Sequence, residues 1–434
     1  MIELIAAKDR DRLTAKLLSL RQRIVALDAE LMAEVAAIVQ EVRTRGDAAL
    51  RDYALRFDGC AQRVEELKVS EKILKESASK ADPSIAFALR EAISRVRRFH
   101  EFERQQSWET EDSSGTRLGQ RINAIQCVGV YVPGGSAAYP SSVVMNIVPA
   151  QLAGVERIVV ATPPRTLMEN PAVALALCEL GALEVYAIGG AQAIAALAYG
   201  TETVPAVDKI TGPGNKYVAA AKKLVFGAVG IDSIAGPTEV VVIADESARA
   251  EFVAADLLAQ AEHGEDASSI LITTSARLAE EVAEEVERQM CNLPRRAIIE
   301  KSLAQFGALV VVEDLDRACS IVNELAPEHL EIMCRDFASI AKQIRNAGAV
   351  FFGNYSPEAV GDYLAGPNHV LPTGRTARFS SALSVRDFVK HTNVIEFSAP
   401  ETQATASLIA TLARAEGLEA HAQSVLLRAE EQDD

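Results

Sequence analysis

Four of the six histidines in this chain stand beside a carboxylate or a carboxamide. They lie in Gln260-Ala261-Glu262-His263, in Pro327-Glu328-His329, in Gly361-Asp362-Tyr363-Leu364-Ala365-Gly366-Pro367-Asn368-His369 and in Glu416-Gly417-Leu418-Glu419-Ala420-His421. Imidazole is a good zinc ligand, and carboxylate and carboxamide oxygens can complete its shell. An imidazole next to a carboxylate also offers two titratable groups of different basicity, suited to proton removal and water activation. Together the four segments have the make-up of a catalytic pocket with a metal, assembled from distant parts of the chain.

Each segment also has a plainer reading. Gln260 and His263 are three apart at the end of a helix expected over 247–263, which puts both on one face. A capped helix end with a solvated polar face has the same spacing. Asp362 and His369 fall in a turn-rich loop after a strand, near the carboxyl ends of parallel strands, where such folds bind ligands. Glu328-His329 opens the strand 330–333. Neighbours on a strand point to opposite faces, but in a turn both reach one pocket. An exposed loop pair fits as well. His421 is not placed by periodicity and reads alone as a surface histidine beside Glu419, while His100 and His391 lack a polar constellation and read as structural.

Three Gly-rich stretches sit at the ends of expected strands and helices: Tyr131-Val132-Pro133-Gly134-Gly135-Ser136, Gly189-Gly190-Ala191-Gln192 and Thr211-Gly212-Pro213-Gly214-Asn215-Lys216. Backbone N–H groups before a helix can face a phosphate. Ordinary strand-to-helix turns look the same. G-x-G-x-x-G, H-E-x-x-H, G-x-x-x-x-G-K-[ST] and G-x-S-x-G do not occur, so the dinucleotide fingerprint, zinc-protease, P-loop and serine-hydrolase readings lose their motifs.

The elements that must position these residues follow from the texture of the chain. Residues 28–56 and 84–105 carry helical patterns, with Leu31, Val35, Ile38 and Val42 at helical spacing. Residues 107–121 are polar and read as loop or hairpin. From Ala124 short apolar runs alternate with helices: Cys127–Val132, Arg157–Ala161, Glu184–Ile188, Val240–Ala244, Ile270–Thr274, Leu309–Val312, Leu330–Met333 and Val350–Phe352. Such alternation predicts parallel sheets covered by helices on both faces. The fold class expected is α/β, with two parallel-sheet αβα domains resembling incomplete Rossmann units. The expected division is an N-terminal segment 1–27, a first αβ domain from 28–130 and 237–378, a second from 131–236, and a tail 379–434. Helices in 28–105 are expected to pack on the 237–378 sheet, and the tail to hold one helix over about 402–430.

Whole-chain properties narrow the class. A length of 434 residues fits two to three domains. The net charge of −16 argues against broad nucleic-acid binding, which needs a basic face. Six scattered cysteines without a C-x-x-C pair read as free thiols in a reducing compartment. The first ten residues are charged too early for a signal peptide, and the apolar stretch 191–199 is too short to span a bilayer. The expectation is a cytoplasmic enzyme.

In chain order, Val128–Gly135 (VGVYVPGG), Gly189–Thr201 (GGAQAIAALAYGT), Val207–Lys216 (VDKITGPGNK), Ile231–Glu239 (IDSIAGPTE), Leu257–Gly264 (LLAQAEHG), Leu325–Glu331 (LAPEHLE), Gly361–Arg375 (GDYLAGPNHVLPTGR) and Phe379–Ser384 resemble the histidinol dehydrogenase family. The resemblance extends over most of the chain. It implies a zinc-dependent, NAD-linked oxidation of L-histidinol to L-histidine through the aldehyde, the last step of histidine biosynthesis. It implies one zinc per subunit on Gln260, His263, Asp362 and His421, and Glu328 and His329 as the acid–base pair. Thr238, His369 and Glu416 would hold substrate together with the zinc ligands and His329. Tyr131, Gln192 and Asn215 would contact NAD. The family is a homodimer whose C-terminal tail crosses to the partner, so Glu416 and His421 would complete the neighbour's site. Thr238 stands where serine is also familiar, and the hydroxyl is kept. A relative that oxidises another small polar alcohol, such as a sulfonated diol, would differ where the substrate nitrogens are held.

Overall fold

The structure is a computed structural model that describes residues 2–21, 27–60, 64–134 and 139–430. Gly135 and Ser136 of the first Gly-rich stretch lie outside the described residues. β1 (Glu3–Ile5) is followed by α1 (Ala29–Arg45), β2 (Lys68–Val69) and α2 (Pro83–His100). A hairpin of β3 (Trp108–Glu111) and β4 (Arg117–Ala124) leads into β5 (Cys127–Tyr131), α3 (Pro140–Ala153), β6 (Arg157–Thr162), β7 (Val185–Ala187), α4 (Gly190–Tyr199), β8 (Lys209–Thr211), α5 (Lys216–Val225) and β9 (Gly230–Ile231). Then come β10 (Glu239–Ala244), α6 (Ala250–Ala261), β11 (Ser268–Thr273), β12 (Ala308–Val311), β13 (His329–Met333), β14 (Ala349–Phe352) and α7 (Glu358–Tyr363). The chain closes with β15 (Val389–Glu396), α8 (Ala399–Ala415) and α9 (Glu419–Glu430).

Two six-stranded sheets carry the fold. One has the order β2-β7-β6-β5-β8-β9, parallel except for β2, which runs antiparallel to β7. The other has the order β1-β12-β11-β10-β13-β14 and is parallel throughout. All six residues of β10, Glu-Val-Val-Val-Ile-Ala, are buried. Continuous β-branched runs of this kind belong to strands covered on both faces. Their side chains alternate: Val241 and Ile243 join one apolar cluster, Val240 and Val242 the other. Each fully buried valine or isoleucine contributes about 1.5–3 kcal/mol. A small antiparallel sheet, β15-β4-β3, stands apart from both.

Three expectations need correction. The early helices do not pack on the 237–378 sheet. α1 buries Leu31, Val35, Ile38 and Val42 in a cluster with Ile194, Leu197 and Val218 of α4 and α5, α2 packs on α3, and β2 adds a strand to the first sheet. Amphipathic spacing marks an apolar face but does not say which sheet it meets. Nor is the N-terminus a separate segment, since Glu3–Ile5 pairs with Ala308–Val310 at the edge of the second sheet. The tail is two helices, divided near Gly417, which takes φ +77° in a backbone region that favours glycine. No described helix is long and apolar enough to cross a membrane.

Candidate active site

The polar side chains singled out by their types gather at the amino end of the second sheet. Glu239 opens β10, and His329 opens β13 next to it, with Val240 opposite His329 in the register. His263 follows the end of α6. The carboxyl-end rule invoked for Asp362 and His369 therefore does not describe this pocket. β14 is the edge strand, and the chain beyond it returns through α7. A cavity of about 490 Å³ is lined there by His329, Phe351, Asp362, His369 and Phe99, among others.

Glu328 is held from one side. Thr238 Oγ1 donates to its Oε2 at 2.5 Å, and the Glu239 backbone N–H donates to the same oxygen at 3.0 Å. Gln260 Nε2 donates to Thr238 Oγ1 at 2.9 Å. Threonine has one hydrogen to give, and Glu328 receives it, so the carboxamide must present its NH₂ to Thr238. Its Oε1 is left over, buried and without a hydrogen-bond partner. Burial pushes the Glu328 carboxyl up to about 8, against the lowering effect of its two donors.

His329 is poised in the opposite sense. Burial pushes its imidazole down to about 4, so it is neutral near pH 7. Its Nδ1 lies 3.1 Å from the Glu239 carbonyl oxygen. A carbonyl only accepts, so that contact assigns the hydrogen to Nδ1 and leaves Nε2 with the lone pair. His369 Nε2 is buried without a partner, and burial lowers that imidazole too.

Glu358 was not visible as a site residue in the sequence. It is 3% exposed at the start of α7. Its Oε1 lies 3.9 Å from both His263 Nε2 and His329 Nδ1. Burial, and then the neighbouring Asp362, hold its carboxyl well above the usual range. His263, Glu358 and Asp362 bring one ligand atom each within 4.8 Å of one another. The sequence signal was the four-residue interval from Glu358 to Asp362, one helical turn. Donors of this set, with the orphaned Gln260 oxygen, fit a zinc ion.

The Gly-rich turns lie at the carboxyl ends of the first sheet. Tyr131 ends β5, and its hydroxyl accepts from the Gly190 N–H at 3.0 Å. Gln192 is buried in the first turn of α4. Asn215 caps α5, its Oδ1 accepting from the N–H groups of Tyr217 and Val218. A Cβ on Gly212 would meet the Tyr131 carbonyl oxygen at 2.0 Å, so the two turns touch through a position only glycine can fill. Glu416 and His421 are not brought to this pocket within the chain. Both are exposed on the α8–α9 hairpin, whose small core is Ala410, Ala413 and Ala422.

Comparison with known proteins bears on all of this. Residues 21–429 match the family profile described as histidinol dehydrogenase. The chain is 52% identical over 413 residues to a histidinol dehydrogenase of Geobacillus kaustophilus, covering 95% of this chain and 97% of that one. It is 50% identical over 415 residues to that of Bacillus subtilis, with the same coverage of 95% and 97%. Among solved structures, histidinol dehydrogenase from Elizabethkingia anophelis superposes with a TM-score of 0.92 at 35% identity, covering 98% of each chain.

Proposed function

The chain belongs to the histidinol dehydrogenase family, and from that premise we propose that it oxidises L-histidinol to L-histidine through the aldehyde, using zinc and two NAD molecules in turn. It is an NAD-linked oxidoreductase of histidine biosynthesis. In this reading Gln260 Oε1, His263, Asp362 and His421 of the partner subunit hold the zinc. The metal would orient the imidazole and amine of the substrate. Tyr131, Gln192 and Asn215 contact NAD, which supplies the hydride acceptor. Thr238, His369 and Glu416 of the partner subunit steady the substrate.

The chain's own residues divide the proton work. His329 Nε2 takes the alcohol proton, since Nδ1 is occupied by the Glu239 carbonyl. Glu328 draws a proton from the water that adds to the aldehyde carbon. Thr238 and Gln260 fix the Glu328 carboxyl for that task. The observation that carries the reading is the chain Gln260–Thr238–Glu328, which ties a candidate metal ligand to a candidate base and leaves the carboxamide oxygen unpartnered.

The test is NADH absorbance with histidinol, NAD and zinc. Two NADH per histidinol is expected. One NADH would mean that reaction stops at the aldehyde. No NADH, with turnover of another small alcohol, would move the substrate assignment.

A further inference from the structure

Pro149 stands inside α3, which continues past it to Ala153. In an α-helix the N–H of residue 149 would serve the carbonyl of residue 145, and proline has no N–H to give. Met145 is 1% exposed, so its carbonyl needs a partner from the protein. That partner comes from 223 positions away: Asn368 Nδ2 donates to the Met145 carbonyl oxygen at 2.7 Å. Asn368 Oδ1 accepts from the Val370 backbone N–H at 2.9 Å. A carbonyl only accepts and an N–H only donates, so the two contacts fix which way the carboxamide faces. Asn368 itself is 4% exposed.

The two bonds bracket His369. One ties residue 368 to α3, and the other ties it to residue 370, across the histidine. Val370 packs against the apolar cluster that holds Val144, Ile147 and Val148 of α3 with Val128 and Val130 of β5. The Leu383 N–H donates to the Val370 carbonyl oxygen at 2.9 Å. His369 is thus anchored on the body of the first sheet. It lines the cavity shared with His329 and Asp362, which β13 and α7 of the second sheet supply, and its Nε2 is buried without a partner.

We propose that Asn368 is a positioning residue for the substrate, acting through His369. It takes the helix acceptor that Pro149 leaves open as a fixed anchor, and so sets the imidazole against the groups of the second sheet. This deepens the reading of His369 as a substrate contact and rests on it. A group displaced by about 1 Å can cost about 10²-fold in activity. The plainer role for Asn368 is to satisfy a buried carbonyl and nothing more.

The test uses the full-length zinc enzyme and two mutant cycles. Asn368→Ala should lower kcat/KM for histidinol by about 10–100-fold, chiefly through KM, with KM for NAD unchanged. Pro149→Ala returns an N–H to the helix, and the Met145 carbonyl has room for two donors. In that background Asn368→Ala should cost less melting temperature than beside Pro149, yet raise KM for histidinol as before. This background also carries the comparison if Asn368→Ala alone does not fold. Recovery of KM together with melting temperature would reduce Asn368 to a partner for the carbonyl and overturn the proposal. Equal losses of melting temperature in the two backgrounds would overturn the link to Pro149. In the second cycle, Asn368→Ala should change KM by less than about twofold once His369→Ala is present, and full additivity would overturn action through His369. If His369→Ala raises KM for histidinol and Asn368→Ala does not, the substrate reading stands and the positioning role is refuted. If His369→Ala leaves that KM at the parent value, the reading of His369 itself falls, and the proposal with it.

Discussion

Glu328 and His329 are adjacent, both buried and oppositely poised. Burial raises the carboxyl to about 8 and lowers the imidazole to about 4. A carboxyl acts as a base only after losing its proton, so oxidation of added histidinal should climb as pH rises through about 8. The neutral imidazole is present above about 4, so the alcohol step should hold until the medium is strongly acidic. Glu328→Gln should flatten the histidinal profile and slow that step by about 10²–10⁴, sparing histidinol oxidation to the aldehyde, while His329→Asn slows both. Equal slowing of the two steps by Glu328→Gln would refute the division. The same shift has a stability consequence. Between the ordinary 4.5 and about 8 the folded protein binds more protons at Glu328 than the unfolded chain, so this group's contribution falls as pH rises. In metal-free protein, Glu328→Gln should therefore gain melting temperature relative to the parent as pH rises from 5 toward 8; a constant difference would contradict the raised carboxyl. Residue types alone exposed Gln260, His263, Glu328, His329, Asp362 and His369. Glu358 was missed because a carboxylate in the first turn of a short helix reads as solvated until its burial is known.

Two helices, α6 and α7, carry Gln260, His263 and Asp362, the part of the proposed metal set that lies in this pocket. His263 is just past the end of α6 and more than a third exposed, and Asp362 is half-buried near the end of α7. Neither side chain belongs to an apolar cluster, so His263→Ala or Asp362→Ala should leave circular dichroism unchanged. Each should fail to retain stoichiometric zinc after dialysis, and full occupancy in either would sink the assignment. Elements of this kind were legible where they are long or wholly apolar. β5, β6, β7 and β10 to β13 stand out as apolar runs because both their faces are covered, and β14 shows the same run although Val350 and Phe352 are exposed. β1, β2, β8 and β9 have only two or three residues, too few for a period to show. β15 is mostly exposed and polar, Val-Lys-His-Thr-Asn-Val-Ile-Glu, and its pairing with β4 spans some 270 positions of chain that no local pattern records.

At the scale of the molecule, the tail that carries Glu416 and His421 leaves apolar surface exposed. In the tail Leu408 is 65% exposed, Leu412 68% and Leu427 61%. The hairpin of α8 and α9 buries little beyond its own alanines. Exposed leucines in such number are what the proposed homodimer would cover. Glu416 and His421 sit on the same hairpin, away from the pocket they are proposed to complete. A homodimer in which each tail covers its neighbour answers both facts with one isologous exchange. Glu328→Gln/His329→Asn and His421→Ala should each be inactive alone. After subunit exchange, a heterodimer joins the intact pocket of the second variant to the intact tail of the first. One of its two sites is then whole, and about half of a parent dimer's activity should return for each heterodimer formed. The heterodimer fraction is read from differently tagged subunits. Exchange without recovered activity would place both halves of the site in one chain, and a monomer by sedimentation would remove the premise.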